Sequence, residues 1–187
     1  MEKASYFIGI CPPHLLEKQI HGIKEEFSQK YGIRAAFRSK AHITLQMPFN
    51  LPINKEEYFL NELGNELIKQ KPIEIKLNDY GNFEPRVIFI KVDENRALDF
   101  LQKTVEQFLK QFQIFNSTHK NNGFNPHITI AFRDLKKPIF YKIWDEVKNR
   151  PFDEKFLADS ISVFKHNGKS WDVLKELKFD NHQKLDI

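Results

Sequence analysis

The chain has 187 residues, 41% apolar and 29% charged, enough for one domain with a substantial core and ordinary for a soluble globular protein. Its net charge of +4 is mild and spread along the chain, permitting a polyanionic partner without demanding one. No run approaches the roughly 20 apolar residues of a membrane span, MEKASYFIGI is too short and too quickly polar for a secretory signal, and the lone Cys11 cannot form an internal disulfide, so a reducing cytoplasm is expected and Cys11 reads as a packing residue.

Residues 6–10 (YFIGI) read as a short buried strand. Pro12 and Pro13 suit a helix start; Leu16, Ile20, Ile23 and Phe27 form the apolar stripe of that helix, and Tyr31–Gly32 ends it. AHITLQMPF (41–49) predicts a strand broken at Pro48. Residues 54–70 predict a second helix, with Asn54 as its cap and Glu57 three residues on. Strands follow at 73–80 and 86–92. A third helix spans 96–112, with Leu98, Leu101, Val105, Phe108 and Phe112 on one side. NPHITIAF (125–132) is a further strand, 139–149 a fourth helix, and strands at 159–167 and 171–179 close the chain. With 18 Phe, aromatic side chains should dominate the core.

The order of these elements repeats. Strand, helix, HIT strand, helix, strand runs once through about 1–82 and again through about 83–170, which reads as an internal duplication within one bilobal domain. The twin tetrapeptides HITL (42–45) and HITI (127–130) occupy matching places. On a strand, residues i and i+2 face the same side. His42 and Thr44 therefore share one face, as do His127 and Thr129, while Ile43, Leu45, Ile128 and Ile130 anchor the other faces to the core.

A single His-x-Thr in a strand is usually structural; two copies in matching places point to a shared site. An imidazole titrates at about pH 6.5, so one ring can take a proton while the other gives one. Two threonine hydroxyls can hydrogen-bond the oxygens of an anion. A phosphodiester meets all of these demands. A metal site is the competing reading, but no His, Cys, Asp or Glu stands at ligand spacing beside the motifs.

The pair HITL and HITI resembles the H-x-T-x signature repeated in the 2H phosphoesterase superfamily, which includes the 2′-5′ RNA ligase and cyclic phosphodiesterase proteins. HITLQMPF (42–49) looks like the bacterial branch whose first motif runs into Pro-Phe, and FNPHITI (124–130) is similar to the second motif, usually preceded by proline. The resemblance implies an α+β fold, bilobal and pseudo-twofold, with two antiparallel sheets lining a central cleft and helices outside. It implies His42 and His127 as the acid–base pair, Thr44 and Thr129 as phosphate ligands, no cofactor and no required metal. Members often carry an arginine five residues past the second histidine; here that position is Phe132, and Arg133 comes one later. Arg133 would still face the cleft if the strand continued regularly.

Arg38 and Lys40 stand before the first motif and could attract phosphate at the cleft entrance, or be solvated surface. Phe49 and Phe83 could stack on a nucleobase, with core packing as the plainer alternative. Arg86 reaches the cleft or merely starts a strand. His14, His21, His119, His166 and His182 lie outside any motif and read as surface or helix residues. The expected activity is hydrolysis of a cyclic phosphate on a nucleotide or RNA end by a monomer, and the same site could also form a 2′-5′ bond in reverse. The alternatives are a non-catalytic nucleotide or RNA binder on the same scaffold and a phosphodiesterase for 2′-5′ or cyclic oligonucleotides. Which histidine is base stays open, with a lean to His127.

Overall fold

Runs of β-branched and aromatic residues give eight strands, and amphipathic stretches between them give four helices, in a computed structural model that describes residues 2–115 and 123–179. His119 and His182 lie outside the described residues. The elements are β1 (Lys3–Ile10), α1 (His14–Tyr31), β2 (Ile43–Pro52), α2 (Glu56–Leu67), β3 (Ile73–Phe83), β4 (Val87–Val92), α3 (Arg96–Lys110), β5 (His127–Ala131), α4 (Lys137–Val147), β6 (Asp153–Ala158), β7 (Ser160–His166) and β8 (Trp171–Lys178). Short 3₁₀ turns at Ala35–Arg38 and Ile53–Lys55 lead into β2 and α2.

Local chemistry sets the helix ends. Gly32 takes a left-handed φ of 72° after α1, and its N–H bonds Ser28 O at 2.8 Å. The Asn95 side chain caps α3 by accepting from the N–H groups of Ala97 and Leu98. Three expectations need correction. Asn54 does not cap α2: it sits inside the 3₁₀ turn, and the residue before the helix is Lys55, whose side chain makes no capping bond. β2 does not break at Pro48 but runs on to Pro52. Its ladder with β1 is irregular between Tyr6 and Ile8, where β2 carries one residue more than β1. Pro48 falls in that bulge, so its missing N–H removes no rung. Finally, β6 has no counterpart in the predicted elements. It opens with Asp153-Glu154-Lys155 on a sheet edge, where charge is usual.

The sheet order is β6-β3-β4-β5-β2-β1-β7-β8, with every neighbouring pair antiparallel. Two four-stranded halves meet at the β5–β2 seam, where the single rung Ile43↔Ile128 joins them into one curled sheet. The order is symmetric about that rung: the histidine strands lie innermost, β4 and β1 next, then β3 and β7. The helices cross the seam, α1 packing on β5 and α3 on β2. Ile20, Ile23 and Phe27 of α1 and Leu98, Leu101 and Val105 of α3 share one continuous core with Ile43, Leu45, Ile128 and Ile130. The opposite face of the sheet carries its own buried aromatics, Phe7, Phe89 and Phe164, which stand outside that core.

Candidate active site

The central rung puts the two tetrapeptides side by side and antiparallel. Because Ile43 pairs with Ile128, one residue either way sets His42 across from Thr129 and Thr44 across from His127. Such neighbours have Cβ atoms about 5 Å apart, with diagonals of about 7–8 Å, which leaves the two imidazoles room for one tetrahedral group between them. All four side chains are half-buried and line one cavity of about 520 Å³. Ile43, Leu45, Ile128 and Ile130, on the other face, are at most 1% exposed.

Both rings are held in the same way. His42 Nδ1 lies 2.7 Å from Lys40 O, and His127 Nδ1 lies 2.8 Å from Asn125 O, each carbonyl two residues upstream. A carbonyl can only accept, so Nδ1 carries the proton in each ring, and Nε2 is the atom left to exchange protons. Aromatic rings fix the planes. His42 packs on Phe7 and Phe164, at centroid distances of 4.6 and 5.4 Å, and His127 on Phe89 and Phe83, at 4.7 and 5.2 Å. Glycines make space beneath both: a Cβ on Gly9 would lie 2.8 Å from Ile43 O and 3.4 Å from the His42 ring, and one on Gly81 would lie 2.5 Å from the Phe89 ring.

These surroundings disfavour the charged form of both imidazoles. Burial pushes His42 down to about 4, with the Lys24 and His127 charges adding to it and the Lys40 carbonyl opposing. Burial also lowers His127, against the Asn125 carbonyl. Neither Thr44 nor Thr129 hydroxyl has a protein partner among the described residues. The arrangement thus offers two Nε2 atoms for proton transfer and two hydroxyl donors for an anion. Among the described residues no group of three or more His, Cys, Asp or Glu is placed to hold a metal ion.

The other candidates divide. Arg38, Lys40 and Phe83 line the cavity, with Arg38 and Lys40 exposed and Phe83 40% exposed. Arg133 also lines it, although the strand ends at Ala131: the chain turns through a left-handed φ of 58° at Arg133, so strand parity does not place this residue. Phe132, at the position where the family often has arginine, lines the cavity as well. Phe49 does not. It is 8% exposed and packs on Tyr6 and Phe59 in the core, because the bulge at Met47–Pro48 turns those two residues, and not Phe49, to the cavity wall. Arg86 also stays outside the cavity lining, in the turn before β4. His14 and His21 are exposed on α1; His166 packs behind Trp171 at 4.8 Å. Cys11 is half-buried, and burial raises its thiol above the ordinary value despite a hydrogen bond with Ser162, consistent with a packing role.

Sequence reasoning missed Lys24, Phe7, Phe124 and Trp171, all in the cavity lining. Phe7 had a readable signal: in YFIGI it alternates with Tyr6 and Ile8, which face the core. Lys24 had one too, as the one charged residue among those α1 buries.

Known proteins resemble this chain in sequence and in fold. The profile of the 2′-5′ RNA ligase superfamily matches residues 12–170. A Bacillus cytotoxicus protein provisionally named a phosphoesterase is 28% identical over 127 residues, 66% of this chain and 67% of its own. A similarly named Staphylococcus epidermidis protein is 23% identical over 174 residues, covering 90% of this chain and 95% of its own. Among solved structures, Escherichia coli LigT in complex with 3′-AMP superposes with a TM-score of 0.71 at 21% identity, covering 95% of this chain and 99% of LigT. LigT complexes with NADP+ and with ATP superpose similarly.

Proposed function

The chain belongs to the 2′-5′ RNA ligase superfamily, and from that premise we propose that it hydrolyses a cyclic phosphate on a nucleotide or RNA end, a 2′,3′-cyclic phosphate above all. The observation that carries this reading is the square of His42, Thr129, Thr44 and His127 around one central rung, with both Nε2 atoms and both hydroxyls unpartnered among the described residues. In the proposed step, a histidine Nε2 takes a proton from water as the water oxygen bonds to phosphorus. The bond from phosphorus to one ribose oxygen breaks, and that oxygen takes a proton from the other imidazolium. The threonine hydroxyls donate to the non-bridging oxygens. With a ribose 5′-hydroxyl in place of water, the same step joins two ends through a 2′-5′ bond.

The electrostatics favour His42 as base and His127 as acid, the reverse of the lean from sequence. His42 is driven to about 4 by burial with a cation nearby, whereas burial alone lowers His127. A phosphate anion between the rings would raise both, and the less depressed His127 would protonate first. The nucleotides held by LigT support a nucleotide-type ligand. Phe83, Phe124, Phe132 and Trp171 give a base rings to stack on, and Arg38, Lys40 and Arg133 supply positive charge at the rim.

The test is turnover of 2′,3′-cyclic nucleotides, 2′-5′-linked dinucleotides and cyclic dinucleotides, read by chromatography in the presence of EDTA. The first group should be hydrolysed to monophosphates, and His42→Ala and His127→Ala should each lose roughly 10²-fold or more in kcat. Binding of these compounds without turnover of any, or turnover abolished by EDTA and restored by a divalent cation, would sink the proposal.

A further inference from the structure

Lys24 sits in α1 on the face that gives Ile20, Ile23 and Phe27 to the core, and it is only 4% exposed. Lysine is almost never so deeply buried unless paired, because its ammonium loses the solvation that water gives it. Among the described residues no carboxylate lies within 4 Å of Nζ; its one protein hydrogen bond, at 3.0 Å, is to the carbonyl oxygen of Ala36. An ammonium has three N–H donors, so two are left without an acceptor among the described residues. Lys24 and Ala36 both line the cavity that holds His42 and Thr44, and the Lys24 charge acts on His42.

A buried cation with donors unused among the described residues, lining one cavity with two hydroxyls unpartnered among them, is completed by an anion. We propose that Lys24 is a phosphate-binding residue of this site, its ammonium meeting a non-bridging oxygen on the His42 side; this rests on the phosphodiester reading above. The Ala36 carbonyl holds the side chain in place before substrate arrives. It also ties α1 to the 3₁₀ turn that leads into His42. The same, N-terminal end of that turn is also held by Asp134, whose carboxylate accepts from Arg34 N and Ala35 N at 2.6 and 2.9 Å. The competing role for Lys24 is therefore a strut, and the experiment must separate a charge from a tether.

Two variants do so. Lys24→Met keeps the apolar stem and removes the charge; Lys24→Gln removes the charge and keeps an N–H donor for Ala36. The measurements are titration calorimetry with inorganic phosphate, kcat/KM for a 2′,3′-cyclic nucleotide, and Tm. Both variants should weaken phosphate binding roughly tenfold or more, as expected for a hydrogen bond to a charged group. The Tm of Lys24→Met at pH 7 should hold or rise, since an unpaired ammonium has left the interior. Phosphate affinity within twofold of the parent in both variants overturns the proposal, as does affinity lost in Lys24→Met and restored in Lys24→Gln, which would mark a tether. These outcomes, in a parent that turns over substrate, leave the phosphodiester reading standing. A parent that neither binds phosphate nor turns over any ester overturns both.

Discussion

His42 and His127 make the same bond to the same kind of carbonyl, yet burial and neighbours treat them unequally, and the pH dependence of kcat/KM should carry that difference. In the free enzyme the base must be neutral and the acid protonated. His42 has been pushed down to about 4, so the acid limb should rise as pH climbs through that region. His127 lies below its ordinary value, so the alkaline limb should fall before or near pH 6.5. The maximum of kcat/KM is therefore expected on the acid side of neutrality, and both limbs belong to the coupled pair. In kcat alone both limbs should move to higher pH, because bound phosphate favours each imidazolium. A profile over pH 4–9 tests this; a kcat/KM maximum above pH 7.5 would show that the cavity does not hold the rings as described. The four central residues were legible in sequence because strand parity is local: His and Thr two apart must share a face. The Phe7 and Phe89 contacts were not, because they depend on which strand pairs beside the motif and in what register.

At the scale of elements, the pairing of β3 with β4 sets the floor under His127. Gly81 stands opposite Phe89 in that ladder, and the Phe89 ring lies over it, at a place where a Cβ would come within 2.5 Å. The same ring packs on His127 at 4.7 Å. A methyl at Gly81 must push Phe89 toward the imidazole or open the ladder. Gly81→Ala is expected to cost about 1–3 kcal/mol of stability and to reduce kcat/KM even where the variant remains fully folded. Phe89→Leu in the same chain should recover part of the stability by vacating the space. Parental activity and Tm in Gly81→Ala would show that the ring has room elsewhere. The same dependence on a partner strand explains what the sequence hid. The helices were legible because their apolar stripes are internal to each segment. The course of β2 past Pro48, and with it the burial of Phe49, follows from a bulge that exists only against β1. β6 is a strand because β3 pairs along its whole length, from Ala158 at Ile73 to Asp153 at Asn78, not because Asp-Glu-Lys favours extension.

At the scale of the whole molecule, the chain crosses between the two halves of the sheet more than once, and this bears on whether either repeat can stand alone. A cut after residue 82 would follow the apparent repeat boundary. It would not follow the pairing. β3, in the first segment, finds its partners β4 and β6 in the second; β7, in the second, lies against β1 in the first. The helices do likewise, with α1 on β5 and α3 on β2, and one core runs through both segments. Cut at that point, the first segment keeps the β1–β2 pair but loses the partners of β3 and the strand that α1 covers. A two-stranded ribbon without a packed face is marginal in water. Residues 1–82 alone are therefore expected to show no cooperative thermal transition by circular dichroism, and residues 83–187 alone likewise. The intact chain should unfold in a single transition, with calorimetric and van't Hoff enthalpies in agreement. Equimolar mixing of the two fragments should restore structure and, with it, hydrolytic activity, because neither His42 nor His127 faces a completed cavity until β2 and β5 meet at Ile43 and Ile128. Two separate transitions in the intact chain, or a first fragment that melts cooperatively by itself, would mean that the halves are independent units and that the seam, not the shared core, is all that joins them.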